Sequence, residues 1–299
     1  MDRDTNAGCT SRLTRRSVLH AGSIAFALGL AGCSSGEASE PDPAANQTSS
    51  GSATYDGSSA PSVEGIDFDV QNLVVRLVPG HSVSDLSLIA PDGTLYTSAS
   101  VATGQTTVAI RILDVDLMSG DYTHYEPGVH ELVLETGAGQ ESVSIPLEPD
   151  LEIVDVEPVE NPENPIEYGQ LVVTVANGGT GPTWVYDVAF EGAPNFAAND
   201  PISDNPGVFV LKSVDAPDDI IVAPNQSQQY SSVNVPLVFS ADAGSCSSIE
   251  TEFQTKIATA TGHILEQSVV ATGGGSQRSA TFDESFVCSD VSVETRANR

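Results

Sequence analysis

Histidines and clustered carboxylates are the side chains of this chain best suited to do chemistry. His81, His124, His130 and His263 lie beyond residue 32. They are too dispersed for a His-Glu-x-x-His zinc site, and neither a Gly-x-Ser-x-Gly elbow nor a Gly-x-x-x-x-Gly-Lys phosphate loop occurs. His124 with Tyr125 reads as part of a turn and His130 as part of a strand, surface or satisfied residues in preference to ligands. A blue-copper centre needs two histidines, a cysteine and usually a methionine together. Met118 is far in sequence from Cys246 and Cys288, which argues against one. Asp114, Asp116 and Asp121, and separately Asp215, Asp218 and Asp219, supply oxygens of the kind Ca²⁺ takes six to eight of. Neither group has EF-hand spacing, and on so acidic a chain solvated carboxylates are the plainer reading. A weak Ca²⁺ site is the one cofactor left open. A carboxylate pair for glycoside hydrolysis is defined by its separation in space, and nothing in the sequence singles one out.

These residues must be carried by something, and the N-terminal stretch says where. Thr14-Arg15-Arg16-Ser17-Val18-Leu19 precedes an apolar run from Ala21 to Gly32, closed by Leu30-Ala31-Gly32-Cys33. The run is shorter than the roughly 20 apolar residues needed to span a bilayer, and its charged-then-apolar order is that of a secretory signal. Thr-Arg-Arg-x-Val-Leu resembles a twin-arginine export signal, and Leu-Ala-Gly-Cys resembles a lipoprotein lipobox. The resemblance implies export directed by Arg15 and Arg16, removal of residues 1–32, and lipidation of Cys33. A buried amphipathic helix, or cleavage without lipidation, are the alternatives. One acyl chain holds a protein to a membrane only marginally. The implied anchor is therefore a diacyl-type lipid on the outer face of the cell membrane.

On that reading Cys9 leaves with the signal and Cys33 carries lipid, so Cys246 and Cys288 remain as a pair. In an exported domain an even pair reads as a disulfide, with a metal-binding or nucleophilic role as the alternative. Closing a loop of that length stabilises by roughly 4 kcal/mol in the chain-entropy estimate.

The whole chain carries 41 acidic and 11 basic residues, a net charge of −30, and its only lysines are Lys212 and Lys256. An acidic surface of this kind excludes nucleic-acid binding, which depends on Lys and Arg against phosphate. Disorder is disfavoured because the carboxylates alternate with Val, Ile and Leu instead of massing in blocks. The acidic bias resembles that of proteins from extreme halophiles, so the N-terminal signature and the charge together resemble a haloarchaeal-type lipoprotein. Such a surface repels itself strongly when the Debye length is about 30 Å and little when it is about 3 Å.

Residues 33–64 are rich in Ser, Gly, Ala, Pro and acids and read as a flexible tether, with a reach of about 30 Å. Asn46-Gln47-Thr48 in the tether and Asn225-Gln226-Ser227 are N-glycosylation sequons, making Asn46 and Asn225 the candidate acceptors.

From Asp67 onward the pattern alternates with period two. Leu73/Val75/Leu77, Leu86/Leu88, the turn Pro91-Asp92-Gly93, Leu95–Val101, Thr107–Leu113, and a hairpin from Gly128 to Ile145 predict six strands and a β-sandwich over 65–149. A second β-sandwich is expected over 150–292, ahead of a frayed tail at 293–299. Ile153-Val154 breaks the alternation and predicts a bulge or a strand handed between sheets. Trp184, Tyr186, Val188 and Phe190 fall on one face of a strand and read as core in preference to an aromatic ligand platform. Residues 191–207 read as a long loop and a contact surface. Val208–Leu211, Ile220–Val222 and Ser232–Val235 read as strands, with Pro236 at an edge or bulge. Thr251–Ile257, Ile264–Ala271 and Ser285–Val291 complete the set.

Leu171-Val172-Val173-Thr174-Val175-Ala176-Asn177-Gly178-Gly179-Thr180-Gly181 is a strand ending in a glycine turn. Over about 150–192 it resembles the CARDB type of immunoglobulin-like module found in prokaryotic surface proteins. That resemblance implies a fold and a surface setting and carries no functional residue. The expected class is all-β, two immunoglobulin-like sandwiches behind a signal and tether. The expected role is non-catalytic: binding or envelope adhesion, with an envelope protein or glycan as partner. An accessory solute-capturing or enzyme-associated subunit of a cell-surface complex, and a secreted hydrolase with an unidentified carboxylate pair, are the alternatives.

Overall fold

The computed structural model describes residues 60–117, 122–199, 201–202, 210–280 and 284–296. Alternating apolar residues set the strands of the N-terminal half: β1 (Val63–Asp69), β2 (Asn72–Leu77), β3 (Val83–Ile89), β4 (Leu95–Ser100), β5 (Thr107–Arg111), β6 (Leu113–Val115), β7 (Tyr122–His124), β8 (Gly128–Thr136) and β9 (Gly139–Leu147). They form an antiparallel sheet ordered β1-β2-β5, a second ordered β4-β3-β8-β9, and a β6-β7 ribbon. Leu73, Val75 and Leu77 of one sheet and Leu86, Leu88, Leu132 and Leu134 of the other are fully buried, while their sequence neighbours point outward. The Pro91-Asp92-Gly93 turn joins β3 to β4. Asp92 Oδ1 accepts hydrogen bonds from the Thr94 amide and hydroxyl, and Gly93 takes φ +85°.

The C-terminal half contains β10 (Leu151–Pro158), β11 (Leu171–Asn177), β12 (Thr183–Glu191), β13 (Ile221–Val222), β14 (Ser227–Ser231), β15 (Phe239–Ser240), β16 (Glu250–Thr259), β17 (Ile264–Ser279) and β18 (Ser285–Arg296). One sheet is β10-β11-β14 and the other is β13-β12-β16-β17-β18-β15. The chain is thus all-β and antiparallel in both halves.

Several expectations are corrected. Among the described residues the first half holds nine strands, not six. Strand β1 begins at Val63, and Ala60 and Val63 are buried, so the end of the expected 33–64 tether belongs to the sheet. A register shift between Val63 and Gly65 breaks the alternation that would have marked β1. At the other end, the expected frayed tail from 293 is strand as far as Arg296. Val293, Glu294, Thr295 and Arg296 pair with Ala271, Val270, Val269 and Ser268, because β17 is long enough to carry them. Ser232 makes only an isolated bridge to Leu211, and 233–236 is not strand, since Pro236 cannot donate to a ladder. Part of 191–207 and residues 208–209 lie outside the described residues. The described part of that loop includes a 3₁₀ turn at Phe196–Asn199.

The bulge expected at Ile153-Val154 is present as a register shift between Ile153 and Asp155. The Trp184 strand is buried on both faces, because a second shift between Val185 and Asp187 re-phases it. Trp184 and Phe190 are fully buried, and the core reading of that aromatic stripe holds.

The two halves join between β9 and β10, and they share one continuous hydrophobic core. Their seam explains the glycine turn. A Cβ on Gly179 would strike the Glu148–Asp150 backbone, and one on Gly181 would strike the Tyr125 hydroxyl and the Leu147–Glu148 backbone. Asn177, almost fully buried, ties the turn together. Its Nδ2 donates to Gly181 O and Val222 O, and its Oδ1 accepts from the amides of Asp150 and Gly179, all within 2.9–3.1 Å.

Candidate functional site

Two places gather chemistry-bearing side chains. The first is the seam. Strand β7 lays His124 against Trp184 of β12, with ring centroids 5.1 Å apart, and His124 lies 4.4 Å from Tyr125. Its Nδ1 faces the Tyr125 carbonyl at 2.6 Å and so carries the proton. Its Nε2 lies 3.0 Å from Thr183 Oγ1 and accepts from that hydroxyl. Burial pushes the His124 pKa down to about 4. Tyr125, also buried, donates from its hydroxyl to Pro182 O at 2.6 Å. His130 is fully buried on β8 between Tyr125 and Tyr96, in edge-on contact with both. Its Nδ1 contacts Gly128 O, and its Nε2 has no hydrogen-bond partner among the described residues. Burial lowers its pKa as well. This neutral His–Tyr–Trp cluster locks the two halves together. His124 is therefore a satisfied residue on a strand, not in the turn expected from sequence.

The second place is an open groove between β10 and β18, about 420 Å³ in volume. Val156, Val291 and Val293 supply its apolar lining, Pro158, Pro162 and Tyr168 one wall, and Asp155, Glu157, Glu160 and Asp290 its charge. Among the described residues, no lysine or arginine lines it. Asp155 repels its neighbour and raises the Glu157 pKa. Arg278 is stacked over the ring of the wall residue Tyr168 at 4.7 Å. Cys288 sits at the end of the groove and is bonded to Cys246, with the Cα atoms 5.6 Å apart. The disulfide fixes the 3₁₀ turn at Cys246–Ser248 to β18.

The residues expected from sequence fall unevenly. Cys246 and Cys288 are paired, as expected. Arg15, Arg16, Cys33 and Asn46 lie outside the described residues. Asn225 is exposed at positive φ in the turn between β13 and β14. Asp219 Oδ2 accepts the amides of Asp215 and Ala216, so that aspartate closes its own turn. Asp114 pairs with Arg111, and Asp121 is not among the described residues. No cluster of three or more His, Cys, Asp or Glu suited to a metal occurs among the described residues. Sequence reasoning missed the groove, because it joins strands more than 120 residues apart. The one local sign was the bulge at Ile153-Val154, which lies immediately before Asp155.

Comparison with protein-family models, with curated proteins and with solved structures found no match.

Proposed function

We propose that this chain is a lipid-anchored extracytoplasmic binding protein, exported through Arg15-Arg16 and tethered at Cys33, whose folded part is a pair of immunoglobulin-like sandwiches. It acts by holding a partner at the cell surface and performs no catalysis. The observation that carries the binding role is the open acidic groove between β10 and β18, an exposed cleft whose apolar lining and uncompensated carboxylates are free to meet a partner. The anchor rests on the sequence of residues 14–33, and the disulfide between Cys246 and Cys288 accords with an oxidising compartment. The large acidic excess accords with a salt-rich exterior. An envelope protein is the class of partner, which makes the chain an accessory component of a surface assembly.

The test is in-situ cross-linking of the tagged full chain on intact cells held in multimolar salt, followed by identification of the adducts. One stoichiometric surface partner is the expected result. Cross-links confined to cytoplasmic proteins would overturn the reading.

A further inference from the structure

The groove lies at a seam where two sheets end, and the two edges that meet there are built differently. Strand β10 is paired on one side only, with β11. Its outer edge is blunted in three ways: a bulge at Ile153/Asp155, Pro158, which has no amide hydrogen, and Asp155 Oδ1, which takes up the Val156 amide at 2.8 Å. Strand β18 is paired along its length with β17, but on its other side β15 covers only Ser285 and Phe286. From Cys288 to Arg296 no strand is hydrogen-bonded to that side among the described residues, although β10 and the 3₁₀ turn at Pro165–Gly169 pack close to β18. The stretch contains no proline and no lysine.

The direction of the free groups follows from the ladder. Gly273 of β17 donates its amide to Ile249 O, away from β18. Alternate residues of an antiparallel strand bond to opposite sides. Hence Thr272 and Val270 are the β17 residues that bond to β18, through Ser292 and Glu294. The amides and carbonyls of Val291, Val293 and Thr295 then point to the open side. Val291 and Val293 of β18 and Asp155 and Glu157 of β10 all border the groove.

We propose that this edge accepts an extended, lysine- or arginine-bearing segment of a partner protein, which adds to β18 as a further strand. Main-chain hydrogen bonds to Val291, Val293 and Thr295 would hold it. The charge of the groove selects the side chains. A long cationic residue lays its methylenes on Val291, Val293 and Pro158 and brings its charged head to Asp155 and Glu157. That cation also offsets the repulsion between those two carboxylates, visible in the raised Glu157 pKa. A second copy of this chain fits less well, because its own β18 would bring Asp290 and Glu294 to an already acidic cleft.

The inference rests on the binding role proposed above and assigns it a surface. Its test uses the full chain and a synthetic peptide of alternating valine and lysine, with a peptide of alternating valine and glutamate as control. The lysine peptide is expected to bind and to slow amide hydrogen exchange at Val291, Val293 and Thr295 by about tenfold or more. Val293→Pro removes the central amide donor and abolishes binding. Should that variant not fold, Asp155→Asn with Glu157→Gln, both surface changes, weakens the lysine peptide by about tenfold at low salt. Equal binding of the two peptides, or protection elsewhere than β18, overturns the proposal. So does self-association through β18 that excludes the peptide. A surface partner cross-linked in cells at some other face would overturn this site while leaving the binding role standing.

Discussion

At the residue scale, Asn177 and His124 bear most directly on how the two halves hold together. Asn177 uses its amide at both ends, and Ala in its place leaves two carbonyls and two amides of the seam without that partner. Each unsatisfied buried group costs about 1–3 kcal/mol. Asn177→Ala is therefore expected to destabilise the fold by about 3 kcal/mol or more, read as a lower urea midpoint at unchanged slope. His124 gives the molecule a pH dependence. Its folded pKa of about 4 lies below the ordinary histidine value near 6.5, so the unfolded chain takes up a proton before the folded one does. Its stabilising contribution is complete above about pH 6.5 and is lost as the pH falls toward 4. The expected loss is on the order of 3 kcal/mol, and His130 acts in the same direction. Urea titrations at several pH values check this, with His124→Phe expected to flatten the fall. An equally steep fall in that variant would assign the effect to other groups.

At the element scale, the Asn177–Gly181 turn is a docking device between the halves as much as the end of a strand. Gly181→Ala must displace the Tyr125 hydroxyl from its bond to Pro182 or push apart the Leu147–Glu148 backbone. Overpacking of this kind costs about 1–3 kcal/mol. The expected result is a lower unfolding midpoint, together with faster amide exchange at the β9–β10 junction; an unchanged midpoint would remove the turn from the seam. The same turn marks how far the sequence could be read. Strands such as β2, β3, β8 and β16 were legible because one face is buried and the alternation is clean. Strand β1 and the re-phased middle of β12 were obscured by bulges, which break the period while keeping the pairing. The Cys246–Cys288 pairing was legible from cysteine arithmetic once the resemblance of the N-terminus to an export signal and lipobox set Cys9 and Cys33 aside. The groove and the His–Tyr–Trp seam were not, since each is assembled from distant strands by topology, and no local pattern encodes which sheet edges meet.

At the scale of the whole molecule, its charge and the proposed anchor bear on its setting. Each of the six described cationic side chains is already engaged. Arg76, Arg111, Lys212, Lys256 and Arg296 pair with carboxylates, and Arg278 stacks on Tyr168. Asp187 is buried, but most of the other described acids are exposed, and dissolved cations must screen so large an excess of negative charge. Such a surface suits a protein held outside the cell in concentrated salt, and on the proposed reading a tether at Cys33 would keep the groove within reach of its neighbours. The anchor is the claim on which that setting depends, and fractionation of cells expressing the wild type or Cys33→Ser tests it most directly. Wild-type protein is expected in the membrane fraction, extracted only by detergent, and Cys33→Ser is expected in the medium with its fold and its Cys246–Cys288 bond intact. A Cys33→Ser protein that remains with the membrane would contradict it.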